Sequence, residues 1–255
     1  MSSATLDLPS TSTRQQSIPD YRDLLSNHHQ ESMTDREELK DKLWNARVEP
    51  CGYRQKWMYF IPKNTRHELI NPRVIEHEIR RDDIQRRCRD PGNCARWAYK
   101  HANQLFTILT YMGKGGAWIH RMYQSGISDE DLPLEAVKKN TIVKGLKRKS
   151  EEQILTAFDT WNREDLENFV RVQWYVLVPE FDKGNLKCRQ FPEQTVLPLM
   201  SVENEGAPDE IVPREKLGGF STVSAYRIHS AHHNFWSLNS KREVRTQFCF
   251  IFISN

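Results

Sequence analysis

The sequence predicts an α+β fold with a mainly helical first part and a strand-rich last part. The helical prediction rests on residues 95–112, where apolar side chains from Leu105 to Met112 recur at the i, i+3, i+4, i+7 spacing of one helix face. The strand prediction rests on β-branched and aromatic runs concentrated after residue 173. An acidic stretch with proline and glycine at residues 201–213 is predicted to be the linker between the two parts.

The composition is that of a globular part diluted by polar segments. Hydrophobic residues make up 38% of the 255 residues, which is low for a tightly packed enzyme. The formal net charge is +3, whereas a general nucleic-acid binder usually carries a much larger basic excess. Nucleic acid is therefore not expected as a partner.

The cysteines and the apolar runs indicate the compartment. An odd number of scattered cysteines with no Cys-x-x-Cys pair predicts reduced thiols and neither a disulfide framework nor a zinc ribbon. The longest apolar run, residues 248–253, is far too short to cross a bilayer, and residues 1–16 lack the apolar core of a secretory signal. We expect a soluble intracellular protein, cytoplasmic or nuclear, without a membrane partner. The cysteines are Cys51, Cys88, Cys94, Cys188 and Cys249.

The first part of the chain divides into a tail and a helical region. Residues 1–30 are polar, rich in Ser and Thr and without apolar periodicity, so they are predicted to be disordered. The mainly helical region, residues 31–200, begins with the capping box Thr34 to Glu37. An Asn-Pro pair at 71–72 predicts the start of another helix, which runs to about Arg89.

Local patterns also predict the remaining elements. Residues 57–61 form a short aromatic run that favours an extended segment, and glycines at 113–116 predict a helix end. The other predicted elements are a single helix over 95–112, a short helix through Ile119 and Met122, a helix capped at 150–153 that continues through Phe158, an amphipathic helix over 161–172, strands at 173–179 and 196–199, and two strands around a turn within 220–228.

Residues 216–223 read Lys-Leu-Gly-Gly-Phe-Ser-Thr-Val and resemble the glycine-rich loop of protein kinases. Such a loop holds phosphates with backbone N–H groups, so glycines are needed for close approach. Gly218 occupies the middle glycine position and Val223 the position of the valine that covers adenine, while Lys216 and Ser221 replace the first and third glycines. One filled glycine position is, by itself, a weak indication of a nucleotide site.

Several other segments make the resemblance more specific. They are similar to a family of fungal protein kinase-like proteins, in which a helical region leads through a Val-Leu-Pro segment to a Gly-Gly-Phe-Ser-x-Val loop and a His-x-x-His-His insert. The resemblance covers about residues 60–235. Its segments are Phe106–Lys114, Gly126–Pro133, Phe169–Phe181, Thr195–Leu199 and Arg227–Phe235.

The resemblance implies that residues 214–255 are the start of a truncated kinase small lobe, an incomplete small-lobe β-hairpin. The full-length family would be serine/threonine kinases that use ATP and Mg²⁺, cofactors that this chain is not expected to bind tightly. No catalytic residue and no metal ligand is implied. The cofactor-binding residues that the resemblance implies are Gly218, Gly219, Phe220, Ser221 and Val223.

The departures from the kinase pattern limit the expected activity. No Val-Ala-x-Lys, His-Arg-Asp or Asp-Phe-Gly motif occurs, and Lys241 lies in a polar context unlike a buried strand. We therefore expect no phosphoryl transfer from this chain and a role, with a protein partner, through its helical region. Either Ser237 to Asn255 is read from an intron or a shifted frame, or the chain is a genuine short paralogue.

Two rival functions remain open: a stand-alone helical interaction module without nucleotide binding, and a weak nucleotide-binding switch. His229, His232 and His233 are expected to be surface or hairpin-packing residues, with a metal site as the less favoured alternative. The basic run at 144–149 is read as a solvated loop, with a nuclear-localisation or nucleic-acid patch as its alternative. The apolar run at 248–253 predicts an aggregation-prone strand edge.

Overall fold

The computed structural model combines α-helices with two small antiparallel sheets, which confirms the α+β class. The predicted tail at 1–30 and the predicted linker at 201–213 lie outside the part of the chain that it describes. Within that part, no helix is long and apolar enough to cross a membrane. The described residues are 39–51, 58–82, 88–184, 189–200, 216–217, 221–235 and 249–254.

The first described residues of the helical part, 39–45, are helical, and later helices carry most of the core. Helix prediction succeeded best where a local cap was visible: the Asn71 side chain accepts hydrogen bonds from the backbone N–H groups of Arg73 and Val74, at 3.0 and 3.1 Å. The α-helices are α1 (Lys63–Leu69), α2 (Pro72–Asp82), α3 (Pro91–His101), α4 (Asn103–Tyr111), α5 (Gly115–Ser125) and α6 (Arg163–Val176).

Helices α2 and α5 cross in backbone contact at Gly116. A Cβ atom on this glycine would lie 2.0 Å from the carbonyl oxygen of Glu78, well inside van der Waals distance. The Gly116 N–H also donates to the Asp82 carboxylate at 3.1 Å. The glycine run at 113–116 therefore does more than end α4: it supplies the residue without which two core helices could not meet.

The prediction of one helix over residues 95–112 is wrong, because the helix is interrupted at Ala102, which has φ −144° and ψ 34°. A new helix, α4, begins directly afterwards. The first N–H groups of α4 have no acceptor within the helix. The Asp129 carboxylate, in a loop further along the chain, accepts hydrogen bonds from the N–H groups of Gln104 and Leu105, both at 2.9 Å. Periodicity could not reveal this break, since its cause lies 25 residues further along the chain.

A β-hairpin follows α5 and was not predicted. Strands β1 (Glu135–Lys139) and β2 (Ile142–Lys147) pair antiparallel through a turn at Asn140 and Thr141, whose φ values of 50° and 68° are left-handed. The predicted helix through residues 150–158 is also wrong. Instead, Ile154 bridges to Lys147, and Thr156–Phe158 form a single 3₁₀ turn.

Helix α6 replaces the strand predicted at residues 173–179 as far as Val176. Asn162 caps its start by accepting from the Asp165 N–H at 2.8 Å. The buried Gln173 side chain then binds both backbone groups of Leu134, at 2.9 and 3.0 Å. The β-forming residues at its end remain helical because they complete an apolar helix face that packs in the core.

The second sheet is built around β5 (Ser221–Ile228), a single strand where two strands around a turn were predicted. It pairs antiparallel with β3 (Leu199–Met200), β4 (Lys216–Leu217) and β6 (Cys249–Ser254). The backbone of β6 is thus paired along one edge. The aggregation expected for the apolar run at 248–253 stays a prediction.

The main core joins α2 to α6 with the β1–β2 hairpin. A second group of buried side chains lies outside this main cluster, and we call it the end cluster. It comprises Phe60, Val196, Leu199 and Ile228.

Candidate functional site at the histidine segment

The structure places only part of the predicted nucleotide loop. Gly218, Gly219 and Phe220 lie outside the described residues, while Ser221 and Val223 lie in β5. The strands on either side of the loop are paired, with Lys216 opposite Val223 and Leu217 opposite Thr222. The two described strands that flank the loop therefore run antiparallel to each other.

The best-defined functional candidate lies at the other end of β5. We call residues 229–234 the histidine segment. The His229 N–H donates to the Pro198 carbonyl at 2.8 Å, and the chain then turns through Ser230–His232. At about 3.3 Å per residue, His229 lies about 20 Å along the strand from Val223. We call β4 and the part of β5 that pairs with it the nucleotide-like hairpin. This hairpin and the histidine segment therefore lie at opposite ends of β5.

His232 is the anchor of this segment. Only 2% of the residue is exposed, and its Nε2 accepts a hydrogen bond from the backbone N–H of Lys63 at 3.3 Å. The ring of Phe60 packs edge-on against both His232 and His229, with centroid separations of 5.5 and 5.6 Å. His232, which follows the second sheet, thereby packs between the start of α1 and the segment that precedes this helix.

The anchor is held in its neutral form. Burial, together with the neighbouring His229, lowers the pKa of His232 to about 4. A protonated ring could not accept the Lys63 N–H, so the hydrogen bond favours the same state. Burial lowers the pKa of His229 and His233 as well.

Backbone pairing holds the remainder of the segment. The Phe181 N–H donates to the His232 carbonyl at 2.8 Å, and the Asn234 N–H donates to the Phe181 carbonyl at 3.2 Å. The Asn234 side chain accepts from the Lys183 N–H at 2.8 Å and donates to Asp182 at 2.9 Å. These contacts join residues about 50 positions apart into one short ladder.

A cleft of about 390 Å³ opens where α1 and this ladder meet. Its charged groups already have partners: Lys63 pairs with Glu180 at 2.7 Å, and Asp182 binds Asn234 together with the Gly184 N–H. Those two hydrogen bonds lower the pKa of Asp182. Among the described residues, no group of three or more His, Cys, Asp or Glu side chains is placed to hold a metal ion. The geometry is that of a joint between two segments of the chain.

Cys94, in the helical part, does not have the properties of a thiol nucleophile. Cys94 is fully buried, and burial together with the adjacent Cys88 raises the pKa of its thiol to about 12. The group stays protonated at neutral pH. Among the described cysteines, Cys51, Cys88 and Cys94 form no disulfide bond.

Sequence reasoning missed the partners of the histidines. The resemblance singled out the His-x-x-His-His pattern, and the expected alternatives were surface exposure or packing within the hairpin. The partners Phe60 and Lys63 are about 170 residues away, so no local periodicity signals them. The short aromatic run at 57–61 was the only local indication, since it ends in the fully buried Phe60 and Ile61.

Comparison with protein-family models, with curated proteins and with solved structures found no match to this chain.

Proposed function

We propose that this chain is a protein kinase-related protein whose helical region anchors the start of a kinase-like small lobe and which transfers no phosphate itself. The single observation that carries the anchoring is the burial of His232 between Phe60 and the Lys63 N–H. His232 follows β5 by four residues, so whatever holds this side chain also holds the end of that strand.

The hairpin geometry supports the relation to kinases. A glycine-rich loop works by presenting backbone N–H groups at a turn between two antiparallel strands. The pairing of Lys216 with Val223 gives the two flanking strands the antiparallel arrangement that such a loop requires. In the sequence, the glycines and the tip aromatic of the pattern come between these two strands, and Val223 lies on the second strand.

We propose no phosphoryl transfer because the chain lacks groups that this reaction requires. A kinase holds the ATP phosphates with a lysine on the strand after the glycine-rich hairpin. The next described strand along the chain is β6, which pairs with β5 and whose sequence Cys-Phe-Ile-Phe-Ile-Ser contains no lysine. The sequence also contains neither a His-Arg-Asp nor an Asp-Phe-Gly motif to supply the base and the metal ligand.

A second candidate function is a helical interaction module that binds a protein partner without nucleotide. Large aromatic side chains on the helical part favour it: Trp44 is 49% exposed, and Tyr99 and Tyr123 are also exposed. Aromatic side chains are enriched where proteins bind one another. The two candidates differ in whether β5 must stay docked for the protein to work.

Hydrogen exchange tests the anchoring directly. We expect His232→Gln to increase amide exchange across residues 221–228 while α2 and α5 keep their protection, because only the joint is weakened. The matched control is His101→Gln, an exposed histidine at the end of α3 that should change neither region. Unchanged protection of residues 221–228 in His232→Gln would contradict the anchoring role.

Calorimetry and a transfer assay test the nucleotide part. We expect no heat of binding up to about millimolar Mg²⁺–ATP and no incorporation of labelled phosphate into a generic protein substrate, given the missing lysine and metal ligands. Measurable transfer would overturn the catalytic part of the proposal. Saturable binding without transfer would instead support the nucleotide-binding switch.

A further inference from the structure

We infer that the β1–β2 hairpin is a binding surface for duplex nucleic acid, which contacts the phosphate backbone without reading bases. We call residues 135–149 the basic hairpin. Its function would be independent of the histidine segment, because the two surfaces use different residues and different elements.

The first argument is the concentration of charge. The basic hairpin contains six basic side chains and one acidic one, Glu135, a local charge of +5 in a chain whose net charge is +3. The rest of the chain therefore carries a net charge of −2. A nearly balanced total had argued against nucleic acid, but the field at a surface depends on where the charges lie and not on their sum.

The second argument is that the structure divides these six residues into two groups. Lys147 is paired with Glu152 at 3.2 Å, and Arg148 is paired with Asp131 at 2.6 Å, so both are engaged within the fold. Those pairs lie towards the base of the hairpin. A nuclear-localisation signal at 144–149 would need the same two side chains to be available.

The other group is available. Lys138, Lys139, Lys144 and Lys149 are exposed, and no ion pair is recorded for any of them within the described chain. Val143 and Leu146, on the same strand as Lys144, are buried in the main core. The hairpin thus has an anchored apolar side and a set of lysines that project into solvent.

The third argument is shape. The hairpin ends in a tight left-handed turn at Asn140 and Thr141, both small, polar and exposed. Two paired strands lie about 4.8 Å apart, and a two-stranded ribbon of this kind fits the major groove, which is about 12 Å wide. Lysines along the ribbon then face the phosphates on either side of the groove.

The chemistry of the side chains selects a duplex over other anions. Single-stranded nucleic acid is usually held by aromatic stacking, and residues 135–149 contain no aromatic side chain. Insertion into an anionic membrane surface needs apolar side chains at the tip, where this hairpin has Lys-Lys-Asn-Thr. Flexible lysines and a polar tip suit contact with phosphates that does not depend on base sequence.

Fluorescence anisotropy with a labelled 20-base-pair DNA duplex tests the inference, with the full chain titrated at several salt concentrations. If three or four lysines contact phosphates, the logarithm of the binding constant should fall with the logarithm of salt concentration with a slope of about −3. The triple variant K138E/K139E/K144E should bind at least about tenfold more weakly at low salt, with a slope no steeper than about −1, because only Lys149 of the four lysines remains.

A charge-matched variant separates the hairpin from the net charge. K40E/K100E/K183E changes three exposed lysines outside the hairpin and gives the same net charge of −3. It should keep the slope of the unmodified protein. Should the hairpin variant fail to fold by circular dichroism, K138Q/K139Q/K144Q, which removes the charges without reversing them, is measured in its place.

Three results would overturn the inference. The first is no saturable duplex binding at low salt. The second is an equal loss of binding in the two charge-matched variants, which would make the effect one of net charge alone. The third is tighter hairpin-dependent binding of a polyglutamate peptide or of phosphatidylserine vesicles than of the duplex, which would assign the surface to a different anion.

Discussion

The main core and the end cluster are held together in different ways. The main core buries apolar side chains from five helices and a hairpin, and its tightest point is a backbone contact at Gly116. The end cluster has few buried apolar side chains, and hydrogen bonds join the histidine segment to Lys63, Phe181 and Pro198 around it. The main core therefore depends on close packing, whereas the end cluster depends on the neutral state of the His232 imidazole.

This difference indicates where the protein can open. Regions with few buried apolar contacts open at lower free energy than the global unfolding transition. The end cluster is such a region, and β5 with the nucleotide-like hairpin is attached through it. A regulatory movement of the hairpin would therefore start at the histidine segment and leave the main core intact.

The largest effect is expected from Gly116→Val in the main core. The new side chain would begin 2.0 Å from the Glu78 carbonyl oxygen, so α2 and α5 would have to separate. We expect a loss of more than about 4 kcal/mol in the free energy of unfolding, measured by urea denaturation. Gly92→Ala, whose new atom would meet its nearest neighbour at 3.6 Å, should change it by less than about 0.5 kcal/mol.

Phe60→Ala should give the next largest effect, and it acts on the end cluster. The ring is fully buried and contacts both His229 and His232, so its removal leaves a cavity at the joint. We expect a loss of about 3 kcal/mol in the stability of the docked state, and hydrogen exchange should show β5 losing protection before α2. Simultaneous loss of protection in both elements would show that the two regions unfold as one.

Acidification should weaken the end cluster selectively. The unfolded chain binds a proton at His232 below about pH 6.5, whereas the folded protein binds it only near pH 4, so stability falls as the pH drops through this window. The loss from this group would reach about 3 kcal/mol at full protonation. Burial lowers the pKa of His232, the neighbouring His229 lowers it further, and Glu180 opposes this shift.

The unfolding free energy measured from pH 7 to pH 4 checks this prediction. His232→Gln cannot titrate, so its pH dependence should be shallower than that of the unmodified protein. An identical dependence in both proteins would mean that other groups account for the acid sensitivity.

The smallest effect is expected from the Lys63–Glu180 ion pair at the edge of the cleft. The two side chains are 37% and 55% exposed, so water competes with their 2.7 Å contact. Lys63→Met should cost less than about 1 kcal/mol in thermal unfolding at low salt, and less still at high salt. A larger loss would indicate that the pair, rather than the buried imidazole, holds the joint.

Sequence reasoning was accurate where the cause of a structure is local. The Asn71 cap, the end of α4 at the glycine run and the α+β class all follow from neighbouring residues. It was wrong at Ala102, where a continuous apolar period hides a helix break whose following N–H groups donate to Asp129. It was also wrong at the end of α6, where strand-forming residues stay helical because the core needs that face.

The candidate sites show the same division. The pattern at 216–223 and the run of basic residues at 144–149 are visible in the sequence. Only the fold joins His232 to Phe60 and Lys63, and only the fold separates the exposed Lys144 from the engaged Lys147 and Arg148. Composition, caps and periodicity act over a few residues, so they determine which elements form. Burial and ion pairing depend on contacts between distant parts of the chain, so the tertiary structure alone decides which of these side chains remain available.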